Sequence, residues 1–383
     1  MSRRGAQQGS FGDCGKTSVL SGRTLPAYVP LRSCIKRERV VKGTLLCSPP
    51  TAGLLPTPHM LYTLFFLLLF LLILTHAQEA AAYAADGFLL WYSKMIPSLL
   101  PFMILSGLMI RMGLSRRLGK WFQPVLKPLL GCSPEVNYGV LMGFLCGFPM
   151  GARVTAQLYQ ENRINRVESR FLLAFCNNIG PVYFCSFVIP LLERRLTAPY
   201  LLGMYGLPFL YGIILRRTLF KNLSGSVSPV RSTHNNAVSI RAASLPGTTV
   251  PNTAGKASFS DLLLHLDDAV QAGLKSIISL CGYMILFNLL NLVPHLFLPQ
   301  ASVWLSPLLE ITGGLNQLGQ SAPLYTLLLL PLGGLSCIAQ TYSMIHETDL
   351  PLGEYVLHKL ALTALTGLYY LAWRCLLPQS FLL

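Results

Sequence analysis

The chain has 383 residues, 52% of them hydrophobic and 12% charged, with 30 Lys and Arg against 15 Asp and Glu and a formal net charge of +15. A soluble domain carries about 25% charged residues, so this composition excludes an ordinary globular protein and points to an all-α, polytopic membrane protein. So basic a chain raises nucleic-acid binding, but its basic residues lie between apolar runs, as in cytoplasmic loops, and no nucleic-acid-binding motif occurs.

Residues 1–59 are polar, rich in Gly, Ser and Pro, and hold nine basic residues against Asp13 and Glu38. That composition favours disorder. Met60 then opens MLYTLFFLLLFLLILTHAQ, which reads as a natural protein start. Two readings stand: a basic extension, or translation from Met60 that leaves 1–59 unmade. Intact-mass analysis separates them, and a native peptide from 40–59 would sink the second.

The run Leu61 to Thr75 has the length of either a signal-peptide core or a short first helix. Ala80 to Lys94 reads as a partly amphipathic connector, with Asp86, Trp91 and Tyr92 suited to an interface. Met95 to Ile110 is the next span. Arg111 to Lys127, with five basic residues and no acid, reads as an interfacial amphipathic helix.

Gly143 to Arg153, GFLCGFPMGAR, is too apolar for a surface loop and too rich in Gly and Pro for a regular span. Irregular backbone at membrane depth survives only where protein or a watery cavity satisfies it. Basic stretches flank 137–152, so it is expected to be re-entrant, with Arg153 anchoring it at the cytoplasmic interface. Phe171 to Leu192 carries Asn177, Asn178, Gly180 and Pro181 in its middle, the mark of a discontinuous helix restarting near Pro181. Pro199 to Leu215 is a further span. The linker 216–258 has six basic residues and no acidic one.

Phe259 to Ala272 reads as an amphipathic helix and Ser276 to Leu298 as a separate span. Leu305 to Gln317 contains Glu310, Thr312, Gly313 and Gly314. Tyr325 to Ile345 is broken at Pro331, Gly333 and Gly334, and the acidic segment 346–354 precedes a last span, Tyr355 to Leu377. Charge asymmetry puts the loops 111–128, 153–170 and 216–258 inside and 346–354 outside. The Gly143 element then dips in from the cytoplasm and the Gly333 element from the exterior, as inverted halves would. The Glu193-Arg194-Arg195 loop, outside yet basic, runs against this scheme.

Half-helix ends at such breaks present free N–H or C=O groups that a polar solute or ion can satisfy. The candidate solute-binding residues are Gly147, Pro149, Gly151, Asn177, Asn178, Gly180 and Pro181, with Glu310, Thr312, Gly334, Ser336 and Gln340. Each has a plainer reading. Gly143, Gly147 and Gly151 form two G-x-x-x-G steps that permit close helix packing, the two Asn residues can bridge helices, and Glu310 means little at headgroup depth.

The cysteines at 146, 176, 185, 281, 337 and 375 lie in apolar runs with no C-x-x-C pair, and read as small buried hydrophobes. Metalloprotease, P-loop, nucleophile-elbow and dinucleotide motifs are missing. The expectation is no enzyme, no cofactor and no metal.

The ordered set PSLLPFMILSGLMIRMG, GFLCGFPMGAR, FCNNIGPVYF, LEITGGL and LGGLSCIAQ resembles the YlbJ-type sporulation integral membrane proteins, within the wider group that carries a nucleoside-recognition, or Gate, domain. The likeness runs from about Met60 to Leu377. It implies a role in spore cortex formation, in the inner, forespore or mother-cell membrane of a Gram-positive bacterium. It also implies kinship with concentrative nucleoside transporters and ferrous-iron transporters, and names no substrate. The organisation expected is an extension at 1–59, a membrane half with a Gate-like hairpin at 60–215, a linker at 216–258 and a second such half at 259–383. The partners expected are the lipid bilayer, a small polar solute and other sporulation membrane proteins, without nucleic acid. Transport of the solute is the leading function; a non-transporting scaffold for cortex-assembly proteins, working through the linker, is the alternative.

Overall fold

The computed structural model describes residues 58–192, 197–221, 223 and 259–376. The expectations for the N-terminal extension, the body of the linker and the Glu193-Arg194-Arg195 loop lie outside those residues. The contacts below belong to the unit that begins at Tyr62.

Among the described residues every regular element is helical. Four helical stretches among the described residues are long and apolar enough to cross a membrane: Ala77–Arg111, Thr197–Arg217, Phe259–Phe297 and Pro323–Ile345. Helix α1 (Pro58–Thr75) precedes them and exposes apolar side chains on most of its surface.

Two expected boundaries are absent. The connector and the span after it form one helical run, α2 (Ala77–Leu90), a π-type turn at Trp91–Met95 and α3 (Ile96–Arg111). The wider turn absorbs the ring of Pro97, so the proline does not end the helix. Likewise Phe259–Leu290 is the single helix α12, because nothing between Ala272 and Ser276 breaks a helix: Gly273 sits where α3 packs closely, an ideal Cβ there lying 3.1 Å from Ile104. The interfacial helix expected at 111–127 is instead two short ones, α4 (Leu114–Trp121) and α5 (Gln123–Leu130), with Pro124 starting the second.

The other expected breaks are present. Helix α6 (Pro134–Cys146) stops at Gly147 and α7 (Met150–Gln160) starts after Pro149. Each arm is about 16–20 Å long, too short for a hydrocarbon core of about 30 Å. Helix α8 (Arg166–Phe175) starts from a full capping box, Asn165 with Glu168, and unwinds over Cys176–Gly180 before α9 (Pro181–Tyr183) and its continuation to Leu191. Helices α10 (Thr197–Leu201) and α11 (Leu207–Arg217) complete the run.

The second half follows the same order. After α12 and α13 (Leu292–Phe297) comes a short hairpin, α14 (Pro299–Leu309) and α15 (Ile311–Leu318), which turns at Glu310. A broken helix follows, α16 (Pro323–Leu329) and α17 (Gly334–Ile345), then the uninterrupted α18 (Leu352–Leu376). The second hairpin thus turns at Glu310. The Gly333 element is a broken helix, like α8–α9, and not a hairpin.

Ion pairs sort the ends of these helices. Arg111 meets Asp268 at 3.1 Å, Lys275 meets Glu347 at 3.1 Å, Arg166 meets Asp349 at 3.0 Å and Arg170 meets Glu354 at 2.7 Å. The acidic segment 346–354 therefore lies on the same face as the basic stretches, which overturns its expected placement on the opposite side. Its acids compensate the arginines. On the other face Gln320 donates to the carbonyl of Pro190 at 3.2 Å, and Tyr369 to that of Pro199 at 3.2 Å. The α6–α7 hairpin thus enters from the basic face, where Glu135 pairs with Arg116 at 3.3 Å, and the α14–α15 hairpin from the other.

This arrangement is testable by labelling. In a cysteine-free background within membrane vesicles, Lys120→Cys and Asp349→Cys are expected to react with an impermeant maleimide from one side, and Gln320→Cys from the other. Opposite-side reaction of positions 120 and 349 would overturn it.

Candidate functional site

The hairpin turn at Gly147–Pro149 rests on the unwound stretch of α8. Gly147 has φ of +80°, which glycine tolerates best, and a Cβ added there would lie 2.1 Å from the amide nitrogen of Gly180. Two breaks thus touch backbone to backbone. Gly143 and Gly151 are equally constrained, with Cβ positions 2.4 and 2.8 Å from the carbonyl oxygen of Cys176. The three glycines of the G-x-x-x-G series let α6 and α7 straddle the unwound segment.

Three helices meet the side chain of Asn177. Its Oδ1 accepts from the amide of Ala152 at 3.3 Å, and its Nδ2 donates to Thr341 Oγ1 at 2.9 Å and Tyr355 Oη at 3.1 Å. Asn178 donates to the carbonyl of Phe175 at 2.6 Å and accepts at 2.8 Å from Lys359 Nζ. Lys359 also donates to the carbonyl of Asn177 and lies 4.6 Å from the ring centre of Phe148. Its side chain is wholly buried.

This lysine is the main residue that the sequence reading missed. It had a signal: a lysine inside the apolar run 355–377, the kind of intramembrane charge that usually marks function. Its placement is physically apt, because the carbonyl end of a broken helix is a centre of partial negative charge. The aromatic faces of Phe148 and Tyr355 add cation–π contact.

Glu310 solves the converse problem. It is 2% exposed and is the N-cap of α15, its carboxylate accepting from the amides of Thr312 at 3.1 Å and Gly313 at 2.6 Å. Asn288 adds a contact at 3.5 Å. An anion at the N–H end of a helix is favourable, which makes the burial tolerable.

Between the two hairpin turns and the two helix breaks lies a cavity of about 80 Å³. Gly180, Glu310, Thr312 and Gln340 of the expected residues line it, with Phe148 and Tyr183. Tyr183 Oη donates to Thr312 Oγ1 at 3.3 Å, tying α9 to α15. Gly147, Pro149, Gly151, Asn177, Asn178, Pro181, Gly334 and Ser336 do not line the cavity. They shape its walls: Ser336 accepts from Gln340 Nε2 at 2.8 Å, and Gly334 packs with its Cβ position 2.9 Å from the carbonyl oxygen of Pro307.

One other expectation changes. Cys146 and Cys337 are buried and line the cavity, but Cys185 and Cys375 are exposed. Arg153 is 8% exposed and sits one turn beyond the hairpin break. Among the described residues no group of three or more His, Cys, Asp or Glu side chains is placed to hold a metal.

A helical membrane protein built on an inserted hairpin and a broken helix is the class this geometry defines. Residues 92–199, which run from the π-type turn before α3 to the start of α10, match the Gate family, described as nucleoside recognition. Over 124 residues the chain is 36% identical to the sporulation integral membrane protein YlbJ of Bacillus subtilis (strain 168), an alignment covering 32% of this chain and 30% of that protein. The chain thus spans under a third of the relative's length, and over that part the YlbJ-type resemblance read from the motifs holds. No solved structure matches the chain.

Lys359→Met, which keeps the apolar stem, leaves two buried oxygen acceptors without a donor, at about 1–3 kcal/mol each. The expected outcome is a loss of roughly 3 kcal/mol in stability, read as a lower unfolding temperature in detergent. An unchanged unfolding temperature would show that Lys359 does not hold the break together.

Proposed function

We propose that the protein is a multi-pass sporulation membrane protein that binds a small polar, nucleoside-like solute between its two hairpin turns. It carries the solute across a bacterial inner membrane, in the forespore or the mother cell, in support of spore cortex formation. The observation that carries this reading is convergence: Phe148 from one hairpin, Glu310 and Thr312 from the other, Gly180 from one broken helix and Gln340 from the second border a single cavity. Midplane sites of transporters are built from such discontinuous helices.

The chemistry of the lining suits a solute with one flat apolar face and several hydrogen-bonding groups. Phe148, Leu99 and Phe102 supply apolar surface, while Thr312, Gln340, Tyr183 and Glu310 supply polar atoms. At about 80 Å³ the cavity is smaller than the 300–1,000 Å³ of ordinary small-molecule sites. In this reading it is a contracted state, and the site widens for solute when one hairpin moves against the broken helices. The recurrence of hairpin, broken helix and full helix, with hairpins entering from opposite faces, supports alternating access by two inverted halves.

The test is direct binding and uptake with radiolabelled uridine and adenosine, using purified protein in detergent and in proteoliposomes. Gln340→Leu and Thr312→Val are each expected to weaken binding about tenfold, the effect of one lost buried hydrogen bond of about 1.4 kcal/mol. The same variants are expected to impair sporulation. Wild-type protein that binds no nucleoside, or variants with unchanged affinity, would overturn the proposal.

A further inference from the structure

A second, larger cavity of about 290 Å³ lies on the basic face, between the end of α3, the α7 arm of the first hairpin, α12 and the end of α17. Three cations line it, Arg111, Arg153 and Lys275, together with the hydroxyls of Ser276, Ser279 and Ser343. Two of the cations have acidic partners: Arg111 Nη1 is 3.1 Å from Asp268, and Lys275 is 3.1 Å from Glu347. His346, also in the lining, is 3.9 Å from the same Glu347 carboxylate.

Arg153 has no such partner. Its side chain is 8% exposed, it forms no ion pair among the described residues, and its Nη1 is buried without a hydrogen-bond acceptor. Arg111 Nε is likewise buried and unpartnered. A guanidinium always carries its charge, and a buried charge with unmet donors is costly unless something pairs with it. Such an orphan in a roomy polar cavity is an unmet demand for an anion.

We infer that this cavity is a binding site for a phosphate group, held by Arg153 and Arg111 and completed by Lys275 and the serine hydroxyls. The planar fork of an arginine matches phosphate oxygens two at a time. Ser279 and Ser343 hydroxyls lie 2.7 Å apart, each able to turn its proton towards a further oxygen. The site is separate from the hairpin-turn cavity, yet α7 carries Arg153 and starts directly after the Gly147–Pro149 turn, so an occupied site steadies one hairpin arm. The same phosphate chemistry is offered by a free or soluble phosphoester and by the headgroup of an anionic lipid.

The test uses the full chain in two settings. In neutral detergent, binding of radiolabelled inorganic phosphate is measured by equilibrium dialysis with chloride as competitor. In nanodiscs, unfolding temperature is compared between phosphatidylcholine alone and phosphatidylcholine with phosphatidylglycerol. A soluble ligand predicts saturable phosphate binding that weakens at least tenfold in Arg153→Gln, with partial rescue in Arg153→Lys. A lipid ligand predicts no phosphate binding but stabilisation by phosphatidylglycerol that Arg153→Gln abolishes. Lys275→Gln, at a largely exposed side chain, keeps the test alive if the Arg153 variants do not fold, and is expected to weaken the same response about threefold.

Wild-type protein indifferent to both ligands, or variants that respond as wild type does, would overturn the inference. Neither readout uses a nucleoside, so a failure of solute binding at the hairpin turns leaves it standing.

Discussion

Everything at the centre of this protein depends on one requirement: backbone freed at a helix break inside a membrane must find its partners within the protein. The fold meets it with two buried charges of opposite sign. Lys359 takes the carbonyl side of the break in α8, and Glu310 takes the amide side of the start of α15. Each charge sits at the helix end whose partial charge it complements. That is why two ionisable residues can be buried without facing each other as an ion pair.

The breaks in turn let the chain approach itself closely. Gly147 against Gly180 brings the first hairpin onto the unwound part of α8, and Tyr183 with Thr312 draws the second hairpin to the same place. The cavity between them is therefore bordered by backbone that is irregular on several sides. Polar groups there are exposed to whatever occupies it, whereas groups one turn away, such as Asn177, are consumed in holding helices together.

On the basic face, charge acts as mutual compensation. The acids of 346–354 and of α12 neutralise arginines and a lysine that crowd where several helices end. Exposed pairs of this kind contribute at most about 1 kcal/mol each, so they order the surface more than they stabilise it. The balance leaves Arg153 unmatched, and the polar cavity forms around it.

The sequence by itself determined the membrane class, the helical nature of the chain and where its backbone gives way. Gly147 to Pro149, Asn177 to Pro181 and Pro331 to Gly334 were legible because Gly and Pro act on the backbone locally. Glu310 stood out because a lone acid in an apolar run is costly wherever it lies. Lys359 was legible in the same way and was passed over in the final span. Only the tertiary structure decided which group answers which break, since Lys359 and Asn177 are 182 residues apart in sequence. It also decided that the second hairpin turns at Glu310 and not at Gly333, and that 346–354 joins the basic face. Loop charge reports the sum of attractions to membrane and neighbours, and the particular arginines that hold these acids belong to other helices.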